Sequence, residues 1–159
     1  MLPEEVTKFI GQATGTTTIH EVEKGAIARY AEAVGDLNPL YLDEEYAKKS
    51  KYGSIIAPPG FFGWVVRRPR DTSAPEVIAG ARGPNLAAAG YPRVLDGGME
   101  YDFIKPIRAG DTLTSSSIIK DIVEREGRTG KMAFLIREAT YTNQDGEVVA
   151  KTRGTSIHR

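Results

Sequence analysis

The chain has 159 residues, 40% of them apolar, which fits a single globular domain over residues 1–159 with a real core. Lysine and arginine total 21, aspartate and glutamate 21, and no block of like charge occurs, so neither nucleic acid nor an anionic membrane is an expected partner. The absence of cysteine excludes disulfides, thiolate metal sites and cysteine nucleophiles, and with only His20 and His158, far apart in sequence, no metal is expected.

Glu4 and Glu5 stand where a leader peptide would be basic, and no apolar run approaches a membrane span, so the expected location is cytoplasmic. Leu2 to about Gly11 reads as a short helix, with Pro3 at its start, the two acids at its positive end and Val6, Phe9 and Ile10 as an apolar edge. "TTTIHEV" reads as a strand. From Lys24 the period becomes helical through Ile27, Tyr30, Ala31 and Val34, and Gly35 is the stop. A second helix is expected from Asp43, its cap, to about Lys49. Gly60 to Val66, "GFFGWVV", is apolar on every side, as in a helix buried from all directions or a buried strand, and Trp64 is expected in the core.

Arg67 to Pro92 contains Pro69, Pro75, Pro84 and Pro92 and little periodicity. A connection of roughly 25 residues is long for a compact domain and points to a lid, a binding segment or an interface arm. Beyond it, "MEYDFI", "DTLTSSSIIKDIVERE", "KMAFLIREATYTN" and "EVVAKTRGTSI" are extended segments separated by turn chemistry at "KPIRAGD", "GRTGK" and "QDG". They read as an antiparallel meander. Helices followed by strands predict an α+β domain in which one sheet wraps an apolar helix.

"GDLNPLYLDEEYAKKSKYGSIIAPPGF", "DGGMEYDFIKPIRAGDTL" and "NQDGEVVAKTRGTS" occur in the order found in the MaoC-like acyl dehydratases. From about Val22 to Ile157 the chain resembles their N-terminal, fatty-acid-synthase-type dehydratase branch. The resemblance implies a hot-dog fold, an antiparallel sheet wrapped around a central apolar helix, with side-by-side dimers and a tunnel for an acyl thioester of coenzyme A or acyl carrier protein. It implies reversible hydration of a trans-2-enoyl thioester to the (3R)-hydroxyacyl thioester, with no cofactor.

That reaction needs a base for water, a group that orients the water and returns a proton, and donors for the thioester oxygen as it gains charge. Relatives that act alone carry D-x-N-P-x-H. Here the run is Asp36-Leu37-Asn38-Pro39-Leu40-Tyr41, so the aspartate and asparagine are kept and Tyr41 replaces the histidine. A phenol with a reference pKa of about 10 stays protonated at neutral pH, whereas imidazole near 6.5 exchanges protons. Tyr41 is a donor and a poor base. At the expected helix entrance Ala57-Pro58-Pro59-Gly60 replaces the family's "AHG", and Pro59 stands where a glycine amide would bind the oxyanion. Gly60 or Phe61 is left to supply that amide.

The pattern is similar to mycobacterial-type (3R)-hydroxyacyl-ACP dehydratases, heterodimers in which a subunit with "IAPP" shapes the acyl channel and its partner holds the dyad. The expectation is therefore an acyl-thioester binding subunit in a heterodimer with a catalytic MaoC-like chain. A self-sufficient homodimer using Asp36 with Tyr41, a non-enzymatic acyl-CoA binding protein and a thioesterase are the rivals; the absence of an acid between Phe61 and Val66 counts against the last. Catalytic candidates are Asp36, Asn38 and Tyr41, and substrate-binding candidates are Pro59, Gly60, Phe61 and Arg67. The plainer readings are turn formation for Asp36 and Asn38, ring packing for Tyr41, a rigid entry for the prolines, a solvated loop for Arg67 with Arg68 and Arg70, and a structural role for His20.

Overall fold

The computed structural model describes residues 2–14, 18–65, 83–128 and 130–159. Their order is α1 (Glu4–Thr7), β1 (Thr18–Glu21), α2 (Lys24–Val34), α3 (Pro39–Leu42), α4 (Glu44–Lys49), β2 (Trp64–Val65), β3 (Val94–Phe103), β4 (Thr112–Gly127), β5 (Gly130–Thr142) and β6 (Val148–His158). The strands form one antiparallel six-stranded sheet in the order β2-β1-β4-β5-β6-β3. Only β4, β5 and β6 form the expected meander; β3 returns to the outer side of β6 and becomes an edge.

The helical signals beside the motif act as read. Gly35 adopts φ 73° and ends α2, because a left-handed residue breaks the ladder without a Cβ clash. Asp43 caps α4 by accepting from the Glu45 and Tyr46 amides at 2.9 and 3.0 Å. The unexpected short helix, α3, follows from Asn38, whose side chain accepts from the Leu40 amide at 3.0 Å, and from Pro39 in its first turn. α2 buries Ala26, Ile27 and Ala31 in a core shared with Ile55, Ile107, Leu113 and Val149. A second core joins Val6 of α1 to Leu86, Tyr91, Ile119, Ile122 and Leu135.

The apolar run at Gly60 is neither a buried helix nor a buried strand over its described part. Pro59 and Gly60 form a turn, and Trp64 and Val65 make a two-residue edge strand against β1, 55% and 51% exposed. Gly60 at φ 90° and Gly63 at φ 83° interrupt any right-handed helix. Gly63 also lies against the Glu21 carbonyl, where a Cβ would come within 2.4 Å. Periodicity registers apolar character but not these two glycine conformations. Val66 lies outside the described residues, as do Arg67, Arg68, Arg70 and most of the Pro-rich segment.

Candidate functional site

α3, the segment from Tyr52 to Pro59 and the turn after β3 meet around a pocket of about 440 Å³. The Ile56 amide donates to the Leu40 carbonyl at 3.2 Å and the Ala57 amide to the Ile107 carbonyl at 2.8 Å, fixing the three segments together. Asn38, Tyr41, Tyr52, Pro59, Phe103 and Lys105 line the pocket. Three of the predicted site residues, Asn38, Tyr41 and Pro59, therefore share one cavity.

Tyr41 is 8% exposed, and its ring belongs to the core around α2. Burial pushes its phenol above the ordinary value, with the Asp36 carboxylate and Tyr52 pushing the same way. Each influence favours the neutral, proton-bearing form. Tyr41 is thus held as a hydrogen-bond donor. Asn38 spends its side-chain oxygen on the Leu40 amide, leaving its NH2 group with hydrogens to give. Asp36 is exposed and outside the lining, although its charge reaches Tyr41.

The two remaining described candidates do not line the cavity. Phe61 is buried, its ring 5.1 Å from Tyr30 and 5.7 Å from Trp64, and its amide is committed to the Pro58 carbonyl at 3.1 Å. The Gly60 amide makes no hydrogen bond among the described residues, but Gly60 is turned beside the Tyr30 hydroxyl, outside the lining. Arg67 lies outside the described residues.

Tyr52 and Lys105 were not read from the sequence as site residues. Tyr52 follows α4 at no marked spacing, and it enters the pocket because its backbone is held on both sides. Its amide donates to Ser50 Oγ at 3.1 Å, and Arg108 donates to its carbonyl and, at 2.9 Å, to Ser54 Oγ. Lys105, from the turn in "KPIRAGD", pairs with Glu147 at the rim.

Both histidines are elsewhere. His20 on β1 has Nε2 3.0 Å from Ser115 Oγ and its ring centroid 5.7 Å from that of Tyr141; burial lowers its pKa, opposed by a backbone hydrogen bond to Gly63. His158 Nε2 lies 3.1 Å from Ser156 Oγ at the other end of the sheet. Neither lines the pocket. Among the described residues there is no cluster of acids and histidines able to hold a metal, and no helix long and apolar enough to cross a membrane.

The chain belongs to the FAS1-like dehydratase domain family, whose model matches residues 8–152. A UPF0336 protein from Saccharopolyspora erythraea is 33% identical over 95% of this chain and 89% of its own length. A probable enoyl-CoA hydratase alpha subunit from Thermomonospora curvata is 33% identical over 80% of this chain, which spans 41% of that protein. Among solved structures, the ChsH1-ChsH2 complex from Mycobacterium tuberculosis shares the fold, with a TM-score of 0.73, 23% identity, and coverage of 97% of this chain and 93% of that one. The curled antiparallel sheet is the hot-dog fold of the MaoC-like dehydratases, an α+β architecture.

Proposed function

We propose that this chain is the acyl-thioester binding subunit of an (R)-specific enoyl-thioester hydratase or dehydratase, and that a second MaoC-like subunit supplies the Asp and His that move protons. One observation carries the reading: the pocket at the family motif is lined by a buried, neutral tyrosine where the reaction needs a base, and neither histidine reaches it. Such a pocket can hold a thioester and orient it, but proton transfer at neutral pH requires another group.

Two further features support it. The relative from Thermomonospora curvata is named an alpha subunit. In addition, Phe103 and Ile104 join the pocket to β3, an edge strand whose ten residues are all exposed in the single chain. A partner strand along β3 would pair its free edge and bring further side chains beside Phe103 at the pocket, in keeping with the side-by-side dimers that the family resemblance implies.

The test is hydration of crotonyl-CoA and a longer trans-2-enoyl-CoA, followed at the enoyl-thioester absorbance, with the chain alone and then with a MaoC-like chain bearing an intact D-x-N-P-x-H. The expected result is binding without turnover alone, and turnover of the pair that exceeds the sum of the two. Turnover by the chain alone, abolished by Asp36→Asn, would instead establish a self-sufficient enzyme. Release of free coenzyme A would establish a thioesterase.

A further inference from the structure

Pro59 leaves the site without the backbone amide that would stabilise the thioester oxygen, Phe61 has committed its own amide to Pro58, and Gly60 lies outside the lining. The pocket nevertheless contains several other donors. We infer that the phenol hydroxyls of Tyr41 and Tyr52 form a side-chain oxyanion site that takes over this task, so that the pocket binds the enolate-like form of an acyl thioester more tightly than its keto form. The inference rests on the proposed thioester-binding role and assigns it specific atoms.

Four observations converge on it. Tyr41 and Tyr52 line the same cavity. Tyr41 sits in the core on α3, whose first turn is fixed by the Asn38 cap, so its ring is held before a ligand arrives. Tyr52 has its amide held by Ser50 and its carbonyl by Arg108, so its ring is carried on a fixed backbone. Donors fixed in advance are worth more to a developing anion than donors that must reorient. Finally, Lys51 Nζ lies 5.1 Å from the Tyr52 ring centroid, a cation–π contact that helps hold the ring in place. Asn38 and Lys105 add hydrogens at the same cavity, although Lys105 is shared with Glu147.

Acetoacetyl-CoA provides a direct readout. Loss of its C2 proton to the buffer leaves an electron pair spread over the carbonyl oxygens, and the resulting enolate has its own near-ultraviolet band. The full chain at saturating concentration should raise the enolate-to-keto ratio above that of the free ligand. Tyr52→Phe and Tyr41→Phe should each lower that ratio by roughly tenfold, the scale of one hydrogen bond to a charged group. Affinity for butyryl-CoA, which forms no enolate under these conditions, should change much less. Tyr46→Phe, on the exposed side of α4, serves as the control, and thermal unfolding of each variant shows whether the fold is retained.

An unchanged ratio in both folded variants, with acetoacetyl-CoA still bound, would overturn the oxyanion site and leave the thioester-binding role standing. A parallel fall in affinity for both ligands would also overturn it, since that is what loss of packing produces. Failure of the native chain to bind either thioester would remove both readings.

Discussion

β4 and β3 lie in one sheet and obey opposite rules. In β4, Leu113 and Ser115 are buried between exposed Thr112, Thr114 and Ser116, the alternation of a strand with one covered face. β3 shows no alternation: all ten residues are exposed, among them Val94, Leu95, Met99, Tyr101 and Phe103. Its hydrogen bonds to β6 satisfy one edge only. β4 has one face covered within the chain, whereas β3 mixes exposed apolar side chains with Asp96, Glu100 and Asp102 at an edge of the sheet.

Substitutions distinguish these two environments. Leu135, on the covered part of β5 and 2% exposed, should lose about 3 kcal/mol of stability on mutation to alanine, from lost transfer energy and the cavity left behind. Leu95→Ala on β3 should cost less than about 0.5 kcal/mol in dilute protein, where the side chain is already 42% exposed. Urea unfolding of both variants measures the contrast. A comparable loss for Leu95→Ala, growing with protein concentration, would show that a second copy covers β3 in solution.

Tyr91 offers a smaller effect in the second core. Its hydroxyl donates to Glu124 Oε2 at 2.5 Å, and this bond, with burial, pushes the phenol up to about 12. Tyr91→Phe should cost less than Leu135→Ala in the same unfolding experiment, because the ring still fills the second core and the lost bond to Glu124 is screened by solvent. A cost near zero would mean that ring packing alone holds Tyr91 in this core.

The smallest effect is a pH dependence. Burial holds His20 below the ordinary imidazole pKa, so as pH falls through about 6.5 the unfolded chain takes up a proton that the folded chain resists. Stability should be flat above that point and decline gently below it. His158, lowered by burial and by Arg137, acts in the same direction. The decline should become shallower in His20→Gln, as read from unfolding midpoints between about pH 7 and pH 5. An unchanged slope would assign the loss to other groups.

Half of the described candidate residues read from the motifs line one cavity. Of the candidates read from Asp36-Leu37-Asn38-Pro39-Leu40-Tyr41 and Ala57-Pro58-Pro59-Gly60, the structure brings Asn38, Tyr41 and Pro59 to one cavity and leaves Asp36 and Gly60 outside its lining. The contributions of Tyr52 and Lys105 were not legible, since they depend on the chain folding back between α4 and the end of β3. Neither residue has a spacing to Tyr41 that implies contact. Gly60 to Val65 was misread for a related reason: hydropathy counts apolar side chains, whereas Gly60, Gly63 and the nearby Glu21 carbonyl decide the backbone path.

The sequence by itself determined the elements whose causes are local: the capped α4, the glycine stop of α2, and the turns that separate β4, β5 and β6. Caps, turns and side-chain chemistry act over a few residues, so they can be read without knowing the fold. The tertiary structure alone decided that β3 is an edge, that Trp64 is exposed, and that Tyr52 shares a cavity with Tyr41. Strand order and cavity lining are set by contacts between residues distant in sequence, and each requires the chain to have closed on itself.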